Sequence, residues 1–241
     1  MEPSISVVIP VRNEAENIEP LFAALSKNIP QGCEVIVVYD TDDDPTVAEV
    51  RDRSATVPFT LVLVRNTLGK GPANALRAGF AAATGDVIVV VMADLSDDLP
   101  VVETMLHRVA SGDDIVCGSR YMPGGRQIGG PLLKRLLSRT AGLSLRWLVG
   151  FPTRDPTNAF KMYRSSCLRS LQIEGNGGFE ISFEITVKAW QAGATVSEVP
   201  ATWIDRKAGT SKFHLWKWLP NYLRWYLYAV KVRLLGAVGR A

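Results

Sequence analysis

Residues 87–98 read VIVVVMADLSDD, an unbroken apolar run that passes directly into carboxylates. Five β-branched residues in succession are typical of a strand that is covered on both faces of a sheet. The acidic residues mark the point where this strand leaves the core. Similar short apolar segments occur at 4–10, 34–40, 60–64 and 114–119.

Between these segments lie patterns of helical period, at 17–27, 46–53, 71–83 and 99–110. Strands that alternate with helices in this way predict an α/β fold with a mostly parallel sheet. After residue 120 the alternation changes, and we predict a long loop at 122–131, helices at 132–149 and 179–192, and a strand at 195–201. Residues 213–235 predict a helical stretch that is broken at Pro220.

The composition is that of a globular protein with a sizeable core. Of 241 residues, 47% are hydrophobic and 21% are charged, which excludes collagen-like and disordered chains. The net charge of +3 is unevenly distributed, because residues 206–241 contain eight Lys or Arg and no acid, which leaves −5 for residues 1–205. An acidic body with a basic, aromatic tail predicts that the tail meets an anionic partner.

The few cysteines and histidines exclude several kinds of site. Cys33, Cys117 and Cys167 form no C-x-x-C pair, which disfavours a disulfide scaffold and a thiolate zinc site, and there are only two histidines. Any metal ion must therefore be held by oxygen ligands. There is no signal-peptide pattern and no run of the roughly 18 apolar residues that a spanning helix needs. We expect a cytoplasmic protein, peripheral on the cytoplasmic face of the membrane.

Carboxylates gather after two of the predicted strands, at 40–44 and 94–98. In a parallel sheet both clusters lie at the carboxyl edge, where ligands bind. One interpretation is that the acids cap the helices that follow. The other is a site for Mg²⁺ or Mn²⁺ with a diphosphate, because seven carboxylates at one edge repel one another unless a cation joins them.

Common nucleotide and hydrolase motifs are missing from the sequence. Gly69-Lys70-Gly71-Pro72 lacks the spacing and the Ser or Thr of a Walker A loop, and a tight turn with an exposed lysine explains it equally well. No G-x-G-x-x-G follows the first strand and no G-x-S-x-G is present. These absences disfavour a dinucleotide-binding domain and an α/β hydrolase.

Five short motifs follow one another in the order seen in family 2 glycosyltransferases. They are Ile5–Pro10, Val37–Asp40, Gly69–Gly71, Thr84–Asp86 and Ala93–Leu95. With Gly118–Tyr121 and Asp155–Phe160, they make residues 4–212 resemble the polyprenyl-phosphate sugar synthases, the group that includes the dolichol-phosphate mannose synthases. The resemblance implies a GT-A domain at 1–212, followed by an amphipathic helical tail at 213–241.

The resemblance also implies a reaction and the residues that carry it out. A GDP- or UDP-sugar would be held by Pro10, Glu14, Asp40, Lys70, Asp94, Ser96 and Lys212. Mg²⁺ or Mn²⁺ would lie at Asp94 and Ser96, and a polyprenyl phosphate acceptor would meet Arg120, Lys134 and Arg135. Asp94, Arg120 and Arg206 are the expected catalytic residues. The sugar would be transferred with inversion, and no nucleic-acid partner is expected.

One position departs from the family pattern. The Asp-X-Asp motif usually reads Asp-Ala-Asp, but here it is Met92-Ala93-Asp94, and a thioether is a poor ligand for a hard cation. Either Asp94 holds the metal together with the diphosphate, helped by Asp97 or Asp98, or metal binding is weak. Two other hypotheses stay open: transfer to a soluble alcohol with Glu180 or Glu184 as the base, and a nucleotide-sugar-binding protein of weak activity.

The C-terminal part of the sequence supports two further predictions. Arg206 and Lys212 flank Gly209-Thr210-Ser211, which predicts a loop that closes over bound phosphates. Residues 213–235 include Trp216, Trp218 and Trp225 among basic residues, which predicts a segment lying in the membrane interface. The alternative is that these aromatic residues pack on the catalytic domain or on a second subunit.

Overall fold

A seven-stranded sheet with helices on both faces forms the centre of the protein. The computed structural model describes residues 4–175, 177–205 and 215–238. The strands are β1 Ile5–Pro10, β2 Glu34–Tyr39, β3 Thr60–Arg65, β4 Val87–Val90, β5 Ile115–Ser119, β6 Arg126–Ile128, β7 Lys161–Arg164, β8 Val196–Pro200 and β9 Thr202–Ile204. The helices are α1 Ala15–Asn28, α2 Pro45–Arg53, α3 Pro72–Ala82, α4 Val102–Ala110, α5 Leu132–Val149, α6 Ser165–Ser170, α7 Ile181–Gln191 and α8 Leu215–Val238.

The strand order in the main sheet is β3-β2-β1-β4-β7-β5-β8. All pairs are parallel except those of β7, which runs antiparallel to both β4 and β5. Every residue of β1 and β4 is buried, because apolar residues of α1, α2 and α4 cover one face of the sheet and those of α3 and α7 cover the other. The predicted α/β fold with a mostly parallel sheet is therefore confirmed.

A third apolar cluster lies outside the sheet and joins α5, α7 and α8. Leu145 and Val149 of α5 pack with Phe183 and Val187 of α7 and with Trp225 of α8. The hydroxyl groups of Ser144 and Tyr226 are 2.9 Å apart and link α5 to α8.

The structure corrects the element predictions in the C-terminal half. The expected loop at 122–131 contains β6, which pairs in parallel with β9. Helix α8 continues through Pro220 instead of breaking there. Proline at this position removes only the hydrogen bond to residue 216, near the start of the helix, and the buried contacts of α8 stabilise the rest.

Strand β7 is not among the strands predicted from the sequence, and its first residue is charged. Lys161 is fully buried. Its ammonium group donates hydrogen bonds to the carbonyl oxygens of Pro156, at 2.7 Å, and Ser182, at 3.0 Å. Because its ammonium group is hydrogen-bonded in this way, the lysine can occupy a central strand, where charged residues are rarely found.

Candidate active site

The carboxyl ends of β1, β2, β4 and β5 meet at one edge of the sheet. Strand β1 lies between β2 and β4, so the strands that lead into residues 40–44 and 94–98 are two strand spacings apart, about 10 Å. The topology thus places both acidic clusters at the predicted edge, together with Pro10 and Arg120.

Asp40 organises the loop that carries Lys70. Its carboxylate accepts hydrogen bonds from the side-chain amide of Asn66, at 2.7 Å, and from the backbone N–H of Gly71, at 3.0 Å. The same Asn66 amide donates to the carbonyl of Gly69 at 2.7 Å. Lys70 is exposed on this loop, so Asp40 helps to hold the loop that carries this cation at the sheet edge.

The other acids of the first cluster have structural partners. Asp44 caps α2 by accepting from the backbone N–H of Thr46 at 2.9 Å, and it also accepts from the backbone N–H of Asn13 at 2.9 Å. Asp42 forms a 3.3 Å ion pair with Arg65. For Asp44 the helix-capping interpretation is therefore confirmed.

Glu14 and Pro10 lie where β1 gives way to α1. Pro10 is the last, buried residue of β1. The backbone N–H of Glu14 donates to the Thr46 hydroxyl at 2.8 Å, and its carboxylate accepts from the Asn17 amide at 2.7 Å. These bonds fix the start of α1 against α2 at this edge of the sheet.

In the second cluster, each carboxylate accepts a backbone hydrogen bond that shapes the loop after β4. Asp94 accepts from Ser96 at 3.2 Å, Asp97 from Met92 at 2.8 Å and Asp98 from Thr202 at 2.8 Å. Leu95 has a positive φ of 60°, a left-handed conformation that is uncommon for a branched residue. The loop is thus held in a tight turn with Asp94 near its centre.

Asp97 is in an environment that favours its neutral form. Desolvation raises its pKa to about 7, and the nearby carboxylates of Asp94 and Asp98 add to the rise. The Met92 N–H and the Arg120 guanidinium oppose it. This carboxyl group therefore keeps its proton to a higher pH than an ordinary aspartate does.

A cavity of about 400 Å³ opens beside this loop, and we call it the central cavity. Its lining includes Met92, Asp94, Ser96, Asp97, Arg120, Lys134, Phe179, Trp203, Asp205 and Tyr222. The cavity brings the carboxylates at the end of β4 together with a cation at the end of β5 and another on α5. Those are the charges that a metal–diphosphate and a second phosphate need.

Arg120 is held rigidly by Asp155. Their ion pair is bidentate, with Nε–Oδ2 at 2.7 Å and Nη2–Oδ1 at 2.8 Å, and Asp155 is fully buried. Burial alone would lower the pKa of Arg120, but the Asp155 carboxylate reverses this and raises it. Asp155 belongs to the Asp155–Phe160 motif, and its role as the partner of Arg120 is visible only in the structure.

The neighbouring cations Lys134 and Arg135 line different cavities. Lys134 contributes to the central cavity, whereas Arg135 lines a second one, of about 670 Å³, which we call the arginine cavity. Arg120 and Gln127 line both cavities. Arg206 and Lys212, with the closing loop predicted for them, lie outside the described residues.

The two glutamates considered as alternative bases have structural contacts. Glu184 is fully buried and accepts from the backbone N–H groups of Glu174, at 2.6 Å, and Gly175, at 2.7 Å. It also pairs with Lys188 at 2.9 Å, so the interpretation as a helix anchor is confirmed. Glu180 accepts from Asn221 at 3.0 Å and ties α7 to α8.

Among the described residues, no group of three or more His, Cys, Asp or Glu side chains is arranged to hold a metal ion. Three carboxylates line the central cavity, those of Asp94, Asp97 and Asp205. Mg²⁺ is commonly held by one or two carboxylates together with substrate phosphates and water. The residues present therefore fit a metal ion whose coordination is completed by the oxygens of a diphosphate.

Most large apolar side chains exposed on the described surface belong to α5 and α8, and we call them the leucine surface. They are Leu132, Leu133, Leu136, Leu137, Leu143, Trp147 and Leu148 on α5, and Leu223, Leu227, Leu234 and Leu235 on α8. Leu132 is 79% exposed and Trp147 is 85% exposed. An apolar area of this extent marks an interaction surface.

The tryptophans expected at the membrane are instead packed on the domain. Trp225 is 2% exposed, and the Arg224 guanidinium carbon lies 4.9 Å from the centroid of its ring. Trp218 is 8% exposed and meets the ring of Phe179 edge-on at 6.1 Å. The prediction that Trp218 and Trp225 face a bilayer is wrong, because both rings fill the space between α8 and the domain. The side chain of Trp216 lies outside the described residues.

Residues 6–171 match the model of glycosyl transferase family 2. Over 226 residues the chain is 34% identical to a dolichol-phosphate mannosyltransferase of Pyrococcus furiosus, covering 91% of this chain and 62% of that protein. Over 233 residues it is 29% identical to an undecaprenyl-phosphate mannosyltransferase of Micrococcus luteus, covering 93% of this chain and 95% of that protein. The chain thus spans less than two thirds of the length of its Pyrococcus relative.

The fold is similar to that of glucosyl-3-phosphoglycerate synthase from Mycobacterium tuberculosis, solved with Mn²⁺, UDP-glucose and phosphoglyceric acid. The TM-score is 0.72 at 19% identity, covering 95% of this chain and 80% of that structure. This likeness confirms the predicted GT-A fold.

Proposed function

The chain belongs to glycosyl transferase family 2, and from this premise we propose that it moves a sugar from a nucleotide diphosphate sugar to a polyprenyl phosphate at a membrane surface. The observation that carries the proposal is the central cavity, whose lining combines the carboxylates of the loop after β4 with the cations Arg120 and Lys134. The names of the two relatives, one acting on dolichol phosphate and one on undecaprenyl phosphate, support the same acceptor class.

The donor would lie along the ends of β1, β2 and β4. Pro10, Glu14 and Asp40 supply the wall for the base and ribose, because Asp40 and Glu14 are fixed there by the bonds described above. Lys70 stands on the loop that Asp40 holds and would approach the phosphates. Ser96 is buried, and it supports the loop through its carbonyl oxygen, which accepts from the Ile204 N–H at 3.1 Å.

A divalent metal ion, Mg²⁺ or Mn²⁺, would be held at Asp94, with Asp97 next to it. Bound there, it would stabilise the negative charge that develops on the departing nucleotide diphosphate. A structural neighbour contains Mn²⁺ with UDP-glucose, which supports this class of cofactor. Because Met92 offers only a thioether, the diphosphate oxygens would complete the coordination.

The acceptor phosphate would lie between Arg120 and Lys134. Its second pKa is about 6, so it is already anionic at neutral pH and needs positioning more than deprotonation. Asp155 holds the Arg120 guanidinium in one orientation, which is what a positioning group requires. This role leaves no need for Glu180 or Glu184 as a base.

The reaction would form a bond between a phosphate oxygen of the acceptor and the anomeric carbon of the sugar. The bond from that carbon to the nucleotide diphosphate breaks at the same time, and its electron pair leaves with the diphosphate. Attack from the face opposite the leaving group inverts the anomeric configuration. The cations of the central cavity would lower the barrier by stabilising both phosphates.

The leucine surface supports a location at the membrane. In the described part of the chain, no helix combines the length and hydropathy needed to cross a bilayer. Helices α5 and α8 instead present leucines outward, as helices that lie in the interface plane do. Lys134 lies on α5 and lines the central cavity. With α5 in the interface, this part of the cavity would lie at the level of a lipid phosphate.

Transfer can be tested with radiolabelled GDP- and UDP-sugars, undecaprenyl phosphate and Mn²⁺, followed by extraction into organic solvent. We expect label in the organic phase with one class of donor. Label confined to water-soluble sugar products would instead indicate a soluble acceptor. Donor binding without turnover would indicate a binding protein and would overturn the proposal.

A further inference from the structure

The arginine cavity has no role in the transfer described above. It has a volume of about 670 Å³ and lies between residues 121–128 and the first turns of α5. Five arginines line it: Arg120, Arg126, Arg135, Arg139 and Arg154. An open cavity with five guanidinium groups attracts anions, and Arg is the residue best suited to phosphate.

Among the described residues, carboxylates balance two of these five charges. Arg120 pairs with Asp155, and Arg154 pairs with Glu198. Within the part of the chain that the structure describes, Arg126, Arg135 and Arg139 have no carboxylate at ion-pair distance. Residues 206–214 contain no Asp or Glu either. Three uncompensated cations share one cavity, and a bound anion would relieve their repulsion.

The position of the cavity indicates the source of the anion. Arg135 and Arg139 are one turn apart on α5, the helix on which Leu132, Leu136 and Trp147 are exposed. Ile128, at the edge of the cavity, is 50% exposed as well. If these apolar residues enter a bilayer, the guanidinium groups lie at the depth of the lipid headgroups.

We propose that the arginine cavity binds the phosphate of an anionic membrane lipid, and that it is a second phosphate site beside the one for the acceptor. Arg135 then belongs to the lipid site and Lys134 to the acceptor site, with Arg120 in the wall between them. The inference rests on the proposed function only in placing α5 at the membrane. A headgroup held here would orient the central cavity toward the leaflet from which the acceptor comes.

The test is isothermal titration calorimetry of the full chain with dihexanoyl phosphatidylglycerol, at lipid concentrations below the critical micelle concentration. We expect one saturable site per chain, weakened roughly tenfold or more in Arg126→Gln/Arg139→Gln. The matched control is Lys231→Gln/Arg233→Gln, which removes two exposed cations from α8 and should leave the affinity unchanged. Equal weakening in both variants would show a diffuse charge effect and overturn the proposal.

Two further measurements separate the alternatives. Inorganic phosphate that binds as tightly as the lipid would assign the cavity to a soluble anion and overturn the lipid assignment. With a labelled donor and farnesyl phosphate, Arg126→Gln/Arg139→Gln should keep its turnover, whereas a large loss would return the arginines to the acceptor. A chain that transfers no sugar at all would refute the proposed function but leave the lipid titration intact.

Discussion

At the scale of single residues, Asp94 tests the donor half of the site. It lines the central cavity and accepts the Ser96 N–H. We expect Asp94→Ala to lower sugar transfer at least about a hundredfold, the usual loss for a major electrostatic contact.

Asp94→Asn is the matched control for this change, because its amide oxygen can still accept from Ser96. Both variants should fold, with similar midpoints in thermal unfolding, and both should lose transfer. Recovery of near-normal turnover in a folded Asp94→Ala protein would exclude the metal assignment.

Asp97 makes stability depend on pH. Its pKa rises from an ordinary 3.8 to about 7 on folding, so between pH 4 and 7 the folded state keeps a proton that the unfolded state releases. The free energy of unfolding should therefore fall as pH rises through this window. Asp97→Asn removes this dependence and keeps an acceptor for the Met92 N–H.

Urea unfolding in the presence of EDTA, at pH 5 and pH 8, measures this effect. The decrease in unfolding free energy from pH 5 to pH 8 should be smaller in Asp97→Asn than in the original chain. Parallel pH profiles for the two proteins would contradict the raised pKa.

The sequence predicts the residues of the site better than their partners. Asp40, Asp94 and Arg120 follow apolar runs, so their place at the sheet edge can be inferred from the strand pattern alone. The Arg120–Asp155 pair joins residues 35 positions apart, and no local periodicity indicates such a contact. The division of Lys134 and Arg135 between two cavities likewise depends on how α5 is rotated.

At the scale of elements, Gly142 sets how closely α5 approaches the segment that carries Asp155. A Cβ at this position would lie 1.8 Å from the Arg154 carbonyl oxygen. Alanine normally stabilises a helix interior by about 1 kcal/mol relative to glycine, but here the clash must push α5 away. We expect Gly142→Ala to lower the thermal midpoint by several degrees and to reduce transfer.

Thr140→Ala provides the control, because residue 140 is exposed on the same helix. This variant should be as stable as the original chain or slightly more so. Thermal unfolding of both variants under the same conditions gives the two midpoints to compare. A rise in the midpoint for Gly142→Ala would contradict the close approach of α5 to Arg154.

Element prediction succeeds where hydrophobic periodicity is strong. The prediction of α5 agrees with the structure at both ends, Leu132 and Val149. Strands β6 and β9 have only three residues each, too few for a period of two to stand out. Pro220 led to the wrong break because a local rule cannot include the tertiary contacts that stabilise α8.

At the scale of the whole molecule, the leucine surface should govern lipid binding. Leu136 is 62% exposed and Leu227 is 57% exposed, so Leu136→Asp/Leu227→Asp should fold normally. Burial of two leucines in a bilayer contributes about 3 kcal/mol or more, and we expect vesicle binding to weaken at least tenfold. Donor binding should not change.

Co-sedimentation with phosphatidylglycerol vesicles measures this loss. Leu68→Asp is the control, since Leu68 is 56% exposed but lies far from α5 and α8 in the sequence. Vesicle binding that the double variant retains in full would refute the contact of this surface with the membrane. The division of the chain at residues 212 and 213 stays a prediction, because α8 shares its apolar contacts with α5 and α7.

The place of β7 in the sheet also governs the order in which the protein can form during synthesis. Strand β7 lies between β4 and β5, although both precede it in the chain. The ribosome therefore makes the 160 residues that precede Lys161, with strands β1–β6 among them, before Lys161–Arg164 can join β4 to β5. Until then the nascent chain exposes the unpaired backbone of β4, whose VIVV sequence is prone to aggregation. The yield of folded protein in a cell should thus depend on chaperones that shield this edge of β4 while α5 is being made.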